Sequence, residues 1–302
     1  MQVALIQMAV TDFQNRQERF QKIEQFLEEI ERDREKKPDL IVFPELWGCG
    51  FQNFSGYMDA AERLEGETWQ VMSGWAKRLN CWIHSGSFVE KCAGEKRADE
   101  KSTDGNRENY YNTSLLFDRT GQNRGIYRKI HLFGFESMEQ KLLTGGKEVV
   151  AVDTEFGRAG MTTCYDLRFP EQFRLVTDPV PALFLVTAAW PDARLAHWRL
   201  FQQTRAVENQ CYVISCNAAG TQCGVKGAGH SMITDPWGAV LAEGSEDEAV
   251  IWCDLDLNRV EECRSQFPAL EDRVELSLKE DSGEFSVKED RGELSAKEGY
   301  QE

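Results

Sequence analysis

The chain has 302 residues, 41% of them hydrophobic, and carries 51 acidic against 35 basic side chains for a formal net charge of −16. That length and apolar content suit one large core or two ordinary ones. The charge excludes a broad nucleic-acid or anionic-membrane surface, which needs clustered Lys and Arg.

Residues 3–9 read as an apolar strand, and residues 1–10 hold neither a basic n-region nor a small-residue cleavage site. The longest apolar run, 180–190, is well short of the ~20 residues that span a bilayer. A soluble, cytoplasmic protein is expected. Phe20, Ile23, Leu27 and Ile30, three or four apart, predict a helix over 14–34. A buried strand over 40–43 runs into Phe43-Pro44-Glu45-Leu46-Trp47. A helix over 67–79 and a strand over 82–89 follow, then a polar surface loop over 91–108. Strands over 113–117 and 125–127, joined by Asp118-Arg119-Thr120-Gly121, lead into Tyr127-Arg128-Lys129-Ile130-His131-Leu132-Phe133.

Strands over 148–153 and 160–164 flank a turn at Phe156-Gly157, and the second stops at a thiol in Cys164-Tyr165-Asp166-Leu167-Arg168-Phe169-Pro170-Glu171. A buried strand over 183–187, an amphipathic helix over 194–208 and a strand over 211–216 come next. A hairpin over 230–234 and 239–241 turns at Asp235-Pro236-Trp237-Gly238, and a strand over 249–254 precedes a short helix over 258–263. Helices alternating with strands, with hairpins among them, predict an α/β sandwich of mixed sheets. The hairpins count against the alternative, a TIM barrel. Residues 1–265 are expected to form the working domain. Residues 266–302 are an acidic extension in which Glu275, Glu284 and Glu293 open successive copies of a nine-residue repeat. Its composition suits a solvated, partly disordered tail; the sharper alternative is short strands added to an edge or a subunit contact.

The chain has nine cysteines and four histidines, with no CxxC pair and no zinc-ligand spacing, so no metal site is expected. Cys81, Cys211, Cys216 and Cys253 lie in apolar runs and read as small core hydrophobes. Cys164 differs, because an apolar stretch stops at it. Hydrolysing an amide through a covalent intermediate takes a nucleophile, a proton shuttle and an oxyanion site. Cys164 can supply the thiolate, Glu45 the shuttle, and Lys129 with the Tyr165 N–H the oxyanion site. Lys129 would also favour the thiolate. Singly, Glu45 also reads as a strand-end carboxylate and Lys129 as a solvated charge. A Cys–His hydrolase with His131 as base is an alternative; His131 otherwise orients the loop that holds Lys129.

Taken together, Phe43-Pro44-Glu45, Tyr127 to Phe133 and Cys164 to Glu171 resemble, in order and spacing, the three signatures of the nitrilase superfamily of carbon–nitrogen hydrolases. The resemblance implies an αββα sandwich, a homodimer and no cofactor. It also implies a second glutamate seven residues before a Gly, which Glu139 satisfies with Gly146; Glu136 is the rival. With Ala189-Trp190-Pro191-Asp192-Ala193-Arg194, the cysteine segment is most similar to the omega-amidase branch, implying a small 2-oxo dicarboxylic acid monoamide such as 2-oxoglutaramate, and water, as the molecules bound. Arg168 or Arg194 can meet the substrate carboxylate by a bidentate contact, and each equally suits a structural salt bridge. Trp190 and Phe133 can wall the pocket, although Asp192 departs from the small apolar residue expected there. An N-carbamoyl amine, deaminated glutathione, a nitrile, or a non-catalytic scaffold are the other readings.

Overall fold

The computed structural model describes residues 1–93, 108–176 and 179–274, together with the backbone of 276–278 and 285–287. In chain order its elements are β1 (Gln2–Gln7), α1 (Arg16–Arg32), β2 (Leu40–Val42), α2 (Tyr57–Ala60), α3 (Glu67–Leu79), β3 (Trp82–Ala93), β4 (Glu108–Phe117) and β5 (Asn123–Arg128). Then come α4 (Glu139–Leu142), β6 (Val150–Thr154), β7 (Gly157–Thr163), α5 (Pro170–Leu175), β8 (Leu183–Ala188), α6 (Leu195–Asn209) and β9 (Tyr212–Asn217). The last are β10 (Thr221–Gln222), β11 (Val225–Lys226), β12 (Met232–Thr234), β13 (Val240–Glu243), β14 (Ala249–Asp254), α7 (Asn258–Gln266), β15 (Leu276–Leu278) and β16 (Phe285–Val287).

Two six-stranded mixed sheets, ordered β14-β1-β2-β3-β4-β5 and β13-β12-β9-β8-β7-β6, pack face to face. Strand alternation produces the layers. Ala4 and Ile6 of β1 pack in one cluster with Phe20, Ile23 and Leu27 of α1 and Met72 and Trp75 of α3. Val3 and Leu5, on the opposite face, join Met161, Leu183, Leu185 and Tyr212 of the second sheet. The far face of that sheet, including Phe184 and Val186, packs on Trp198 and Ala206 of α6. Each fully buried Val, Leu, Ile, Phe or Met side chain among these contributes roughly 1.5–3 kcal/mol. The order is therefore α-β-β-α, and no barrel closes.

Several boundaries differ from the sequence expectation. Helix α1 begins two residues late because Asn15 accepts the Glu18 N–H while Glu18 takes the Asn15 N–H, a reciprocal cap. The expected loop over 91–108 is shorter at both ends, since Lys91, Cys92 and Ala93 pair with Tyr110, Asn109 and Glu108. Residues 94–107 lie outside those described. The strand expected from 230 starts at Met232, because His230 has a φ of 47° and breaks the extended run. Pairing of β15 with β16 joins the first two copies of the carboxy-terminal repeat, Leu276 opposite Val287. The third copy, and the expected disorder of the tail, fall outside the described residues. Among the described residues no helix is long and apolar enough to cross a membrane.

Candidate active site

Glu45 lies just past β2, where the chain crosses to the second sheet. Its N–H donates to Ala188 O at 3.2 Å, and Leu46, with a φ of 46°, turns Trp47 back so that its Nε1 donates to Ser85 O at 2.9 Å. Gly86 is needed beside this turn, because its φ is 67° and a Cβ there would collide with Pro44 O. Lys129 follows β5, held by its N–H on Asn112 O at 2.9 Å and by Gly146 N–H on its own carbonyl at 2.8 Å. Glu139 opens α4, and its Oε2 accepts the Phe133 N–H at 2.7 Å.

These three side chains converge with essentially no exposure. Lys129 Nζ is 2.8 Å from Glu45 Oε1 and 3.0 Å from each oxygen of Glu139. Burial alone would strip Lys129 of its proton, but the Glu139 and Glu45 carboxylates outweigh it and raise the ammonium above the ordinary lysine value. Burial pushes the Glu139 carboxyl up; Lys129 pulls it down, and Glu45 adds to the rise. Lys129 is thus a buried, fixed cation and not the solvated charge its basic neighbours suggest. Glu136, the rival to Glu139, lies away from Lys129 on the wall of the adjoining pocket, with a φ of 50°.

Cys164 ends β7 at a sharp elbow. Its φ of 47° is a strained value for a residue with a side chain, and it begins a short 3-10 turn, Cys164–Arg168. Asp166 secures that elbow. Its Oδ2 accepts the Thr163 N–H at 2.9 Å and the Tyr127 hydroxyl at 2.5 Å, and its Oδ1 accepts the His131 N–H at 3.0 Å. His131 Nδ1 lies 2.9 Å from the same oxygen, and its ring stacks on Phe169 at 3.8 Å. This histidine therefore braces the Lys129 segment against the cysteine elbow.

The group that bears on the sulfur is Glu45. Burial and then the Glu45 charge push the Cys164 thiol well above its ordinary value; Lys129 and the Ala189 N–H pull the other way and do not prevail. Lys129 thus favours the thiolate, as its charge predicts, but burial and Glu45 outweigh it. The resting sulfur is a thiol, and its proton has a carboxylate beside it.

Cys164 opens into a cavity of about 200 Å³ whose walls include Phe133, Tyr165, Arg168, Trp190 and Arg194. The Arg168 guanidinium lies 4.9 Å from the Trp190 ring and 5.8 Å from Tyr165, and Arg194 lies 5.7 Å from Phe133. Neither arginine meets a carboxylate among the described residues; Arg168 Nη2 contacts His197 Nδ1 at 3.3 Å. The structural salt bridge open to each in the sequence is thus absent there. Asp192, placed 3.9 Å from Lys226, is not among the residues that form this cavity.

Two contributors carry little signal in the sequence. Asn112 Nδ2 donates to Glu45 Oε1 at 2.8 Å and to Glu139 Oε1 at 3.0 Å, yet Asn112 is one polar residue in a polar stretch of β4. The Ala189 N–H donates to Glu45 Oε2 at 3.0 Å, a backbone contact that no side chain advertises. Asp166 stood inside the cysteine segment without an assigned task.

A family model for carbon–nitrogen hydrolase matches residues 2–265. A 2-oxoglutaramate amidase of Paenarthrobacter nicotinovorans is 40% identical over 241 residues, covering 78% of this chain and 79% of its own. A 2-oxoglutaramate amidase of Bacillus subtilis is 34% identical over 260 residues, covering 84% and 91%. A carbon–nitrogen hydrolase superfamily protein of Xanthomonas campestris, solved with an arsenic adduct in its active site, superposes with a TM-score of 0.77 at 27% identity, over 92% of this chain and 99% of its own.

Proposed function

This chain belongs to the carbon–nitrogen hydrolase family, and we propose that it removes the terminal amide of a small 2-oxo dicarboxylic acid monoamide such as 2-oxoglutaramate through a Cys164 thioester. The observation that carries the substrate class is one cavity holding both Cys164 and two guanidinium groups, Arg168 and Arg194, that meet no carboxylate among the described residues. A substrate carboxylate anchored there leaves its distal amide directed at the sulfur, with Trp190, Tyr165 and Phe133 excluding water around the carbon chain.

As Sγ attacks the amide carbon, the thiol proton passes to Glu45, and Lys129 with the Tyr165 N–H stabilises the oxyanion. Glu45 returns the proton to the departing nitrogen, the C–N bond breaks, and ammonia leaves a thioester. Water then adds with Glu45 as base, the C–S bond breaks, and sulfur recovers a proton. Glu139 and Asn112 hold the Lys129 and Glu45 side chains in place.

The catalytic unit is residues 1–265, and 266–302 an extension of it. The enzyme works in the cytoplasm, which suits the free thiols of Cys49, Cys81, Cys164, Cys211, Cys216, Cys223, Cys253 and Cys263. Two copies pair through the outer face of α6, where Leu200 is 60% and Val207 50% exposed, and where the Gln203 contact to Gly238 O adds the exposed Trp237.

The experiment is ammonia release and intact mass with a panel of 2-oxoglutaramate, deaminated glutathione, an N-carbamoyl amine, a simple nitrile and propionamide. Preferred turnover of 2-oxoglutaramate, with an acyl adduct on Cys164, is expected. Glu45→Gln loses the adduct and His131→Ala keeps it. Full activity in Glu45→Gln, or equal turnover of the neutral compounds, refutes the assignment.

A further inference from the structure

Beside the main cavity lies a second, of about 30 Å³, and Glu45 is on its wall. Val10, Ala218, Ala219 and Gln222 enclose it, and Phe51, Gln52, Ala189, Pro191 and Val225 are shared by both cavities. Ala189 marks the junction, because its N–H bears on the sulfur of Cys164 and donates to Glu45 Oε2 at 3.0 Å. Glu45 therefore lines only the small cavity and Cys164 only the large one.

Gln222 forms one wall of the small cavity and is itself fixed. Its Oε1 accepts the Gln52 N–H at 2.9 Å and its Nε2 donates to Cys49 O at 3.4 Å. Gly50 lies against the same amide so closely that a Cβ there would overlap it. The β10–β11 hairpin carrying Gln222 leaves the sheet at Gly220, whose φ of 83° suits only glycine well.

The thioester stage makes a demand that the large cavity does not meet. Once the amide is split, the acyl group lies in that cavity with its carboxylate on Arg168 or Arg194, and Glu45 is not among the residues that form it. Ammonia must still leave, and a water must still reach both Glu45 and the acyl carbon. A space near 30 Å³ accommodates on the order of two water-sized molecules, at roughly 10–15 Å³ each. It is too small for the amide itself.

We propose that this side cavity is the station for ammonia and water during thioester turnover. Ammonia moves into it when the C–N bond breaks, carrying the proton that Glu45 returns to it. Water then occupies it, gives a proton to Glu45, and forms the new C–O bond as the C–S bond breaks, after which Glu45 passes that proton to the sulfur. The proposal rests on the thioester reading above and adds the path by which the two small molecules exchange.

The test narrows the cavity with Ala219→Val in the full chain and leaves the acyl pocket alone. Because kcat/KM reports steps up to ammonia release and kcat also reports hydrolysis of the thioester, kcat is expected to fall by about tenfold or more and kcat/KM by no more than kcat. Quenched intact mass then shows the Cys164 acyl adduct accumulating with 2-oxoglutaramate. Should kcat stay within about twofold, or the adduct stay at its unmodified-enzyme level, the side cavity is not the station. If Ala219→Val does not fold by circular dichroism, Val10→Ile makes the same test from another wall. A parent enzyme with neither adduct nor ammonia on any amide fails the thioester reading itself, a result separate from a normal parent with an unaffected variant.

Discussion

Lys129 Nζ and Glu45 Oε1 stand 2.8 Å apart with neither side chain exposed, although 84 positions separate them in the chain. Glu139 completes this pair as a second buried carboxylate. One cation between two anions leaves the group with a net negative charge, next to a thiol whose proton it must attract. Two features keep it from flying apart, the Asn112 amide and the protein dipoles that point at it.

Glu139→Ala leaves Lys129 with a single anion in a dry site. Removing one partner of a buried ion pair costs about 3–5 kcal/mol. Urea unfolding of the variant is expected to show a loss of that order. Glu139→Gln, which keeps the shape, should lose much less stability and still lower kcat. Parent-like stability in Glu139→Ala rules out the buried-pair account.

Asn112→Leu removes the amide that donates to both carboxylates. Hydrogen bonds to charged groups contribute about 1.5–3 kcal/mol, which corresponds to roughly 10–100-fold in rate. Steady-state ammonia release should show kcat/KM down by that factor, with the fold intact by circular dichroism. A variant with parent kinetics shows that Glu45 is positioned without it.

Arg168→Met and Arg194→Met separate anchoring from chemistry. With 2-oxoglutaramate, KM is expected to rise about 10–100-fold in the variant that loses the carboxylate contact. Slow turnover of propionamide, which has no carboxylate, should be unchanged. A parallel loss on both amides means the arginines shape the pocket rather than hold an anion.

His84 sets part of the response to acid. It is fully buried in β3, and burial lowers its pKa from 6.5 to about 3. Between those values the unfolded chain binds a proton that the folded chain refuses. Its contribution is complete above pH 6.5 and is lost as pH falls, by about 1.4 kcal/mol per unit, until the folded group titrates near 3. Urea unfolding from pH 7 to 5.5 should show stability falling at a slope that grows toward this value, and His84→Leu should flatten it. An unchanged slope in the variant assigns the acid response to other groups.

Much of the architecture is readable from local pattern. The spacing of Phe20, Ile23, Leu27 and Ile30 marks α1, and the apolar runs mark strands, because burial on one face imposes a period. The ends of β3 and β4 escaped, since Lys91 to Ala93 and Glu108 to Tyr110 are held by pairing with one another rather than by apolar character. The site divides in the same way. Glu45, Lys129 and Cys164 stand out because each interrupts a strand with a chemically active group. Asn112 and the Ala189 N–H do not, because their importance lies in what they face.

By itself the sequence determined which reactive groups the protein owns and which strands deliver them, since residue type and periodicity are local properties. Only the tertiary structure decided their state. Against its burial, the carboxylates of Glu139 and Glu45 raise the Lys129 ammonium above the ordinary lysine value, while burial and Glu45 push the Cys164 thiol up. The side cavity at Glu45 was decided there too, because it exists only where β10, the Phe51 turn and the end of β8 meet. Desolvation and charge–charge energy depend on distance in space, and no spacing along the chain encodes that directly.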